Sequence, residues 1–215
     1  VEAWVWAGAG VTASTFNNIV GQWPQTGAAS TNSWLMENSS GVVVGYAVIS
    51  STATLVAQSA TLPLAQWVHV ALVRNGNAHN IYLNGVAGST TTNTNAYDTG
   101  TGAVEVGGFS HSSLAAGNWD GYISNVRVVK GTAVYTSNFT PSTSALTAIS
   151  GTVLLTCQSN RFKDNSASAH AVTTSNTSET TDGTPKVEAF TPFLTSKVYA
   201  SGTNGASAWF SGDDA

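Results

Sequence analysis

A chain of 215 residues is long enough to bury a sizeable core without disulfide or metal staples. Only 8% of it is charged, against roughly 25% in an ordinary soluble protein, and the few cations are scattered, which disfavours nucleic-acid binding. The single cysteine, Cys157, excludes an intrachain disulfide framework. No run of about 18 apolar residues marks a membrane-spanning helix, and no signal peptide is visible. With 42% hydrophobic residues, seven Trp, seven Phe and six Tyr, the composition is that of a packed protein rather than a disordered one. Its polar surface must be built from hydroxyls and amides.

In chain order, VEAWVW (Val1 to Trp6) reads as a strand. Val1, Ala3 and Val5 point to one face; Glu2, Trp4 and Trp6 point to the other. Gly8 to Thr15 reads as a small-residue loop. FNNIVGQWP (Phe16 to Pro24) is a short strand ended by its proline, and SWLMENSS is another. Asn38 to Gly41 forms a turn into the apolar strand Gly41 to Ser50. ATLVAQSATLPLAQ holds one more short strand, then a loop with Pro63.

Trp67 to Val86, WVHVALVRNGNAHNIYLNGV, is the most informative stretch. Asn75-Gly76-Asn77 and Asn84-Gly85 are both hairpin signals, because Gly and Asn tolerate positive φ. Val68, Val70 and Leu72 share one face; Trp67, His69, Ala71 and Val73 share the other. Both faces are mostly apolar, so this strand is expected to be covered on both sides. His69 is expected to be a hydrogen-bonded core residue.

Ser89 to Asn95 follows as a polar loop or edge, Ala103 to Ser110 as a strand, and His111 to Gly121 as a loop. Tyr122 to Gly131 is a strand, and TAVYTSNFTPS opens with one candidate helical turn closed by Pro141. Ser142 to Ser150 reads as a linker. VLLTCQS is a strand with a buried thiol at Cys157. Strands are also expected at Ala171 to Thr174, in KVEAFTPF and in GASAWFSGDDA, with a mobile stretch at Thr173 to Thr184. Short strands about ten residues apart, with no sustained 3.6-residue apolar period, predict an all-β sandwich with essentially no helix.

The hairpin resembles the W-H-H-V-A…L-Y-V-N-G core of laminin G-like, concanavalin A-like jelly rolls. VEAWVW and WDGYISNVRVVKG resemble that family's IEFWV strand and its closing strand. ISNVRVVKGTAVYTSNFTPS followed by GTVLLTCQSNRFKDNSAS is similar to repeats of bacteriophage, especially marine phage, structural and fibre proteins. In that family, strands like VLLTC, AVTT and SAWFSGDD come before VEAWVW; here they come last. The resemblance therefore implies that residues 1–140 hold the main part of a sandwich, 141–150 a linker, and 151–215 the opening strands of a unit. Those strands complete either this sandwich, in permuted order, or a neighbouring one. It further implies a non-enzymatic structural or attachment module in a virion or extracellular fibre, with identical or homologous subunits as partners and host glycans as ligands. The alternative is a free-standing bacterial lectin-like adhesin.

Among chemical constellations, the paired strand carboxylates of a glucanase are missing. Glu105 stands alone in AVEVGG, and no G-x-S-x-G elbow occurs. His79, His111 and His170 lack metal-ligand spacing. No cofactor is expected; the resemblance to laminin G-like domains implies calcium as the one candidate, with Asp98 and Asp120 as loop ligands and plain surface aspartates as the competing role. For glycan stacking the loop-flanking aromatics Trp23, Trp34, Tyr97 and Trp119 are the candidates, with Trp119 first and core packing as the competing role for each.

Overall fold

The computed structural model describes residues 1–13, 16–110, 117–159, 161–174, 186–188, 190–193 and 207–210. Its strands form two antiparallel sheets. The larger contains β1 (Glu2–Ala7), β6 (Trp67–Asn75), β7 (Ala78–Leu83), β8 (Val86–Ala87), β9 (Thr91–Thr92), β11 (Gly121–Val129), β12 (Thr152–Thr156), β13 (Lys186–Glu188) and β14 (Ser207–Phe210). Its order is β13-β14-β11-β1-β6-β7-β8, with β12 also on β11 and β9 on β7. The smaller sheet contains β2 (Asn17–Gln22), β3 (Trp34–Ser39), β4 (Val42–Ile49), β5 (Thr52–Thr61) and β10 (Glu105–Val106), in the order β10-β2-β3-β4-β5.

The core lies between them. Ala3, Val5, Val68, Val70 and Ile81 of the larger sheet meet Ile19, Val20, Met36, Val43 and Ala57 of the smaller in one buried cluster. Val68, Val70 and Leu72 supply the inner face of β6, as period-2 alternation requires. The outer face of that strand is covered too. Ala71, Val73 and Tyr82 pack under Ala133, Tyr135 and Phe139, which follow β11 as an irregular strap. Asn84 and Gly85 both take positive φ (48° and 80°) in a two-residue turn between the paired Leu83 and Val86. Gly85 is required twice, because a Cβ there would lie 1.8 Å from the carbonyl oxygen of Phe139, and the strap's Phe139 N–H donates to the Gly85 carbonyl at 2.9 Å.

Several local expectations give way to tertiary contacts. Within the expected loop Gly8 to Thr15, Gly10–Ala13 forms a helical turn, α1. The Asp120 carboxylate accepts from Gly10 N–H at 2.8 Å across 110 residues of sequence, a partner no local pattern reveals. β5 runs ten residues, not a short stretch, because it follows β4 through two register shifts. β10 keeps only two residues of the expected strand at Ala103 to Ser110. The turn expected after Thr132 is not helical; Tyr135 and Phe139 are drawn onto the outer face instead. The stretch read as a linker packs in part, with Leu146 buried and its N–H held by Asn125 Oδ1 at 2.7 Å. Ala171 to Thr174 joins no ladder. Part of the outer edge of β12 is taken by the Asp164 loop, with Leu155 N–H bonded to Asp164 Oδ1 at 3.0 Å and Asn165 N–H to the Leu155 carbonyl at 2.7 Å. Cys157 is buried, and burial pushes its thiol up to about 12. The stretch at 175–184 lies outside the described residues.

β12 and β14 both pair with the edge of β11 that β1 leaves free. β12 and β14 thus extend the larger sheet beyond β11.

Candidate functional site

The four aromatic candidates fall into three separate packing clusters. Trp119 is fully buried in the main core; its backbone N–H donates to the Gly107 carbonyl at 2.9 Å and its Nε1 to the Trp6 carbonyl at 3.2 Å. Trp23 is buried against Leu35, Val48 and Phe109. Trp34 is half-buried against the inter-sheet core. Tyr97 packs against Ala47, Ile49 and Val56, stacked on His79 at 5.7 Å and lying under the Arg74 guanidinium at 4.8 Å; burial pushes its phenol up to about 12. Trp119 and Trp23 therefore present no open ring face, because indole area next to a sheet end is worth more inside than in solvent. Trp119→Ala is expected to lower unfolding free energy by about 3–5 kcal/mol, read from urea denaturation. A loss below about 1 kcal/mol would mean that the ring is not a core element.

The two carboxylates considered for calcium are occupied as turn caps. Asp98 Oδ1 and Oδ2 accept from the N–H groups of Ser50 and Ser51 at 3.0 and 2.7 Å, holding the β4–β5 turn, where both serines take positive φ. Asp120 Oδ2 caps α1 and sits where a Cβ on Gly8 or Gly10 would clash. Oxygens turned toward N–H donors are the reverse of a cation cradle, and the two aspartates belong to different turns. This donor set does not fit a calcium site of several converging oxygens.

Two further carboxylates, Glu2 and Glu37, are buried on sheet faces. Glu2, 2% exposed on the outer face of β1, is the hub of a polar cluster. Its Oε1 accepts from Arg127 Nε and Nη2 at 2.9 and 2.6 Å; its Oε2 accepts from the Tyr135 hydroxyl at 2.7 Å and from His69 Nε2 at 3.0 Å. Burial alone would raise the Glu2 carboxyl. The His69 hydrogen bond and the Arg127 charge outweigh it and hold the group at about 2. Arg127 Nη1 also donates to the Thr147 carbonyl at 2.7 Å, tying down the stretch read as a linker. Glu37 is buried on β3, and desolvation pushes its carboxyl up to about 8.

The outer face of the larger sheet carries a feature that sequence reading missed. Register places Trp67, Trp6 and Tyr122 side by side across β6, β1 and β11, with Trp209 at the next register position on β14. One pleat further along, Trp4 stands beside His69. Phe190 lies on the first row, with ring centroids 4.7 Å from Trp6, 5.3 Å from Trp67 and 4.9 Å from Tyr122; Phe193 lies 5.9 Å from Trp4. Alternation put Trp4 and Trp6 on one face of their strand and Trp67 on one face of its own, but the lateral row exists only once three distant segments are in register.

A separate cleft of about 740 Å³ opens where β10 and β12 leave the two sheets apart, lined by Val104, Glu105, Val106, Leu154, Phe162 and Val172 among others. Val104 and Val172 are exposed there. Glu105 Oε1 accepts from Ser110 N–H at 3.1 Å, while its Oε2 is buried and has no partner among the described residues.

Two facing antiparallel sheets with a continuous inner core define a β-sandwich of the jelly-roll class. The family described as the concanavalin A-like lectin/glucanases superfamily matches residues 1–134, and the chain belongs to it. Among solved structures, a candidate carbohydrate-binding protein from Bacteroides ovatus is similar at a TM-score of 0.53 and 15% identity, over 76% of this chain and 48% of that one. This chain thus spans about half the length of that protein, and the likeness is one of fold. The search of curated proteins gives no match.

Proposed function

We propose that the chain is a non-enzymatic, lectin-like module that binds carbohydrate. The observation that carries this reading is that, among the described residues, Glu105 is the single carboxylate lining the open cleft, within a family that holds both lectins and glucanases. A glycosidase needs two carboxyl groups about 5–10 Å apart in an open cleft, one to protonate the leaving group and one to attack or activate water. Here Glu2 is locked to Arg127, Glu37 is buried, and Asp98 and Asp120 hold turns. The fold shared with the Bacteroides ovatus protein supports the same direction. The test is a glycan array probed with the full chain, in calcium and in EDTA, followed by reducing-end assays on every glycan bound. Binding without hydrolysis, unchanged by EDTA, is the expected result. Released reducing ends would overturn the non-enzymatic reading, and loss of binding in EDTA would restore a calcium role.

A second reading is assembly with like subunits in a virion or another extracellular fibre, with attachment to glycans as its outcome. The open cleft at the sheet edges favours it, since exposed valines beside unpaired strand edges are places where another chain adds. The similarity of the ISNVRVVKG region to phage fibre repeats supports the virion setting. Light scattering during size-exclusion chromatography tests it: a stable oligomer is expected, and a monomer at all concentrations leaves the lectin reading alone.

A further inference from the structure

We propose that the cleft between β10 and β12 binds a neutral N-acetylated sugar, with aliphatic walls around the acetyl methyl and with Glu105 and Asn118 on its amide. The inference rests on the lectin-like reading and gives it a location and a ligand class.

The cleft has the size of a ligand site, about 740 Å³ against roughly 300–1,000 Å³ for small-molecule sites in general. Its walls are mainly aliphatic. Val104 and Val172, two of the six exposed large apolar side chains among the described residues, both line it. Half-buried Val106, Leu154 and Phe162 stand with them. Single exposed apolar residues need no explanation, but several lining one cleft mark a binding surface. Branched aliphatic side chains make a knobbed wall, unlike the flat ring on which the C–H face of a bare hexose stacks. They accommodate a methyl group, whose burial against aliphatic surface is favourable.

The polar groups of the cleft are few, and two of them lie on either side of one short segment. Glu105 Oε1 accepts from Ser110 N–H at 3.1 Å, and the Asn118 amide lies against Gly108, where a Cβ would come within 2.6 Å of its Oδ1. Neither side chain is fully used among the described residues. Glu105 Oε2 is buried without a partner, and Asn118 bonds to Asn17 Nδ2 through its backbone carbonyl, not through its side-chain amide. An unmet buried acceptor is a standing penalty that a donor from outside the fold relieves. Glu105 is half-exposed as a residue, so a small turn of its side chain presents that oxygen to the cleft. An acetamido group matches the set. Its N–H donates to Glu105 Oε2, its carbonyl accepts from Asn118 Nδ2, and its methyl lies among the valines. A hydroxyl at the same position leaves the apolar walls unfilled. No Lys or Arg lines the cleft among the described residues, so an anionic sugar would meet Glu105 without a counter-charge.

A compact ligand fits here better than an added strand. β10 offers two residues of ladder, and on the β12 edge Leu155 is already bonded to Asp164 and Asn165.

The experiment titrates the full chain calorimetrically with chitohexaose and cellohexaose, which share a backbone and differ at the acetamido group. N-acetylgalactosamine and galactose form a second such pair. At least one acetylated probe is expected to bind about tenfold or more tighter than its hydroxyl counterpart. Glu105→Gln keeps the side-chain shape and removes the charge behind the N–H···O bond; Val104→Asp puts a charge on the apolar wall. Each is expected to weaken the acetylated probe about tenfold. Val104 is exposed, so Val104→Asp should leave the melting temperature nearly unchanged. Should Glu105→Gln melt below the assay temperature, Val104→Asp carries the test by itself. Acetylated and hydroxyl probes bound equally overturn the ligand class. An acetylated probe bound as tightly by both variants as by the native chain overturns the location and leaves the lectin reading standing. An oligomer that Val104→Asp dissolves assigns the cleft to a second copy and overturns the proposal. So does the absence of binding to all four probes, in which case the glycan array alone decides the lectin reading.

Discussion

Glu2→Gln is expected to lower the stability of this protein by about 3–5 kcal/mol at pH 7, the range found when one partner of a buried ion pair is removed. Arg127, 6% exposed, would keep its charge while losing the carboxylate that receives both Nε and Nη2. The deficit should shrink in acid. The Glu2 carboxyl is held at about 2 in the folded state, below its ordinary value of 4.5. Its contribution is therefore fully present above pH 4.5 and disappears as pH falls toward 2. That displacement corresponds to about 3 kcal/mol. Urea unfolding of both forms at pH 7, 4 and 2.5 checks this. A gap that stays constant across the series would show that the loss is one of packing, not of ionisation. Replacing Glu2 and Arg127 together by Leu and Met should be less damaging than Glu2→Gln, because no charge is then stranded.

Glu37→Gln should act in the opposite direction and stabilise the protein. The Glu37 carboxyl is raised by burial from 4.5 to about 8. Below pH 4.5 it is neutral in both folded and unfolded chains and has no pH-dependent effect. Between 4.5 and 8 the unfolded chain ionises it while the folded chain does not, so stability falls as pH rises. At pH 7 the penalty is about 3 kcal/mol, and glutamine, which is always neutral, avoids it. The variant should therefore match the native protein near pH 4 and exceed it at pH 7 and 8, measured as a shift in denaturant midpoint with an unchanged slope. Equal midpoints at every pH would mean that Glu37 ionises freely in the folded state.

The two carboxylates explain each other's opposite behaviour. Both sit on sheet faces and both lose solvent. Glu2 meets Arg127, His69 and Tyr135, three donors all far from it in sequence, and stays charged. At Glu37 desolvation acts without such donors, and the proton stays on. Nothing in the local sequence, VEAWV or WLMENS, distinguishes them.

Much of the architecture was written in short-range pattern. Period-2 alternation in Trp67 to Val73 announced a strand covered on both faces, and Asn84-Gly85 announced a turn with two residues at positive φ. These are properties of a few neighbouring residues, so neighbouring residues reveal them. The same holds for the near-absence of helix and for the strands at either end of the chain. What covered the second face was not legible, because Tyr135 and Phe139 belong to a stretch with no repeating period. Asp120 capping Gly10 was equally invisible, since each residue alone reads as loop.

The site divides along the same line. The sequence lacks the paired strand carboxylates of a glucanase, and it offered loop-flanking aromatics as glycan candidates with core packing as the competing role. It did not say which tryptophans would reach the surface. Trp119 in GNWDG looks like a loop residue, yet the turn before β11 folds it into the core, where its N–H finds the Trp6 carbonyl. Trp6, Trp67 and Tyr122 look like ordinary strand residues, yet pairing across β6, β1 and β11 lines them up under Phe190. Alternation tells which face a side chain takes; only the register between strands far apart in sequence tells which side chains stand next to it. That register is set by the fit of the whole inter-sheet core, and the aromatic row is a consequence of it.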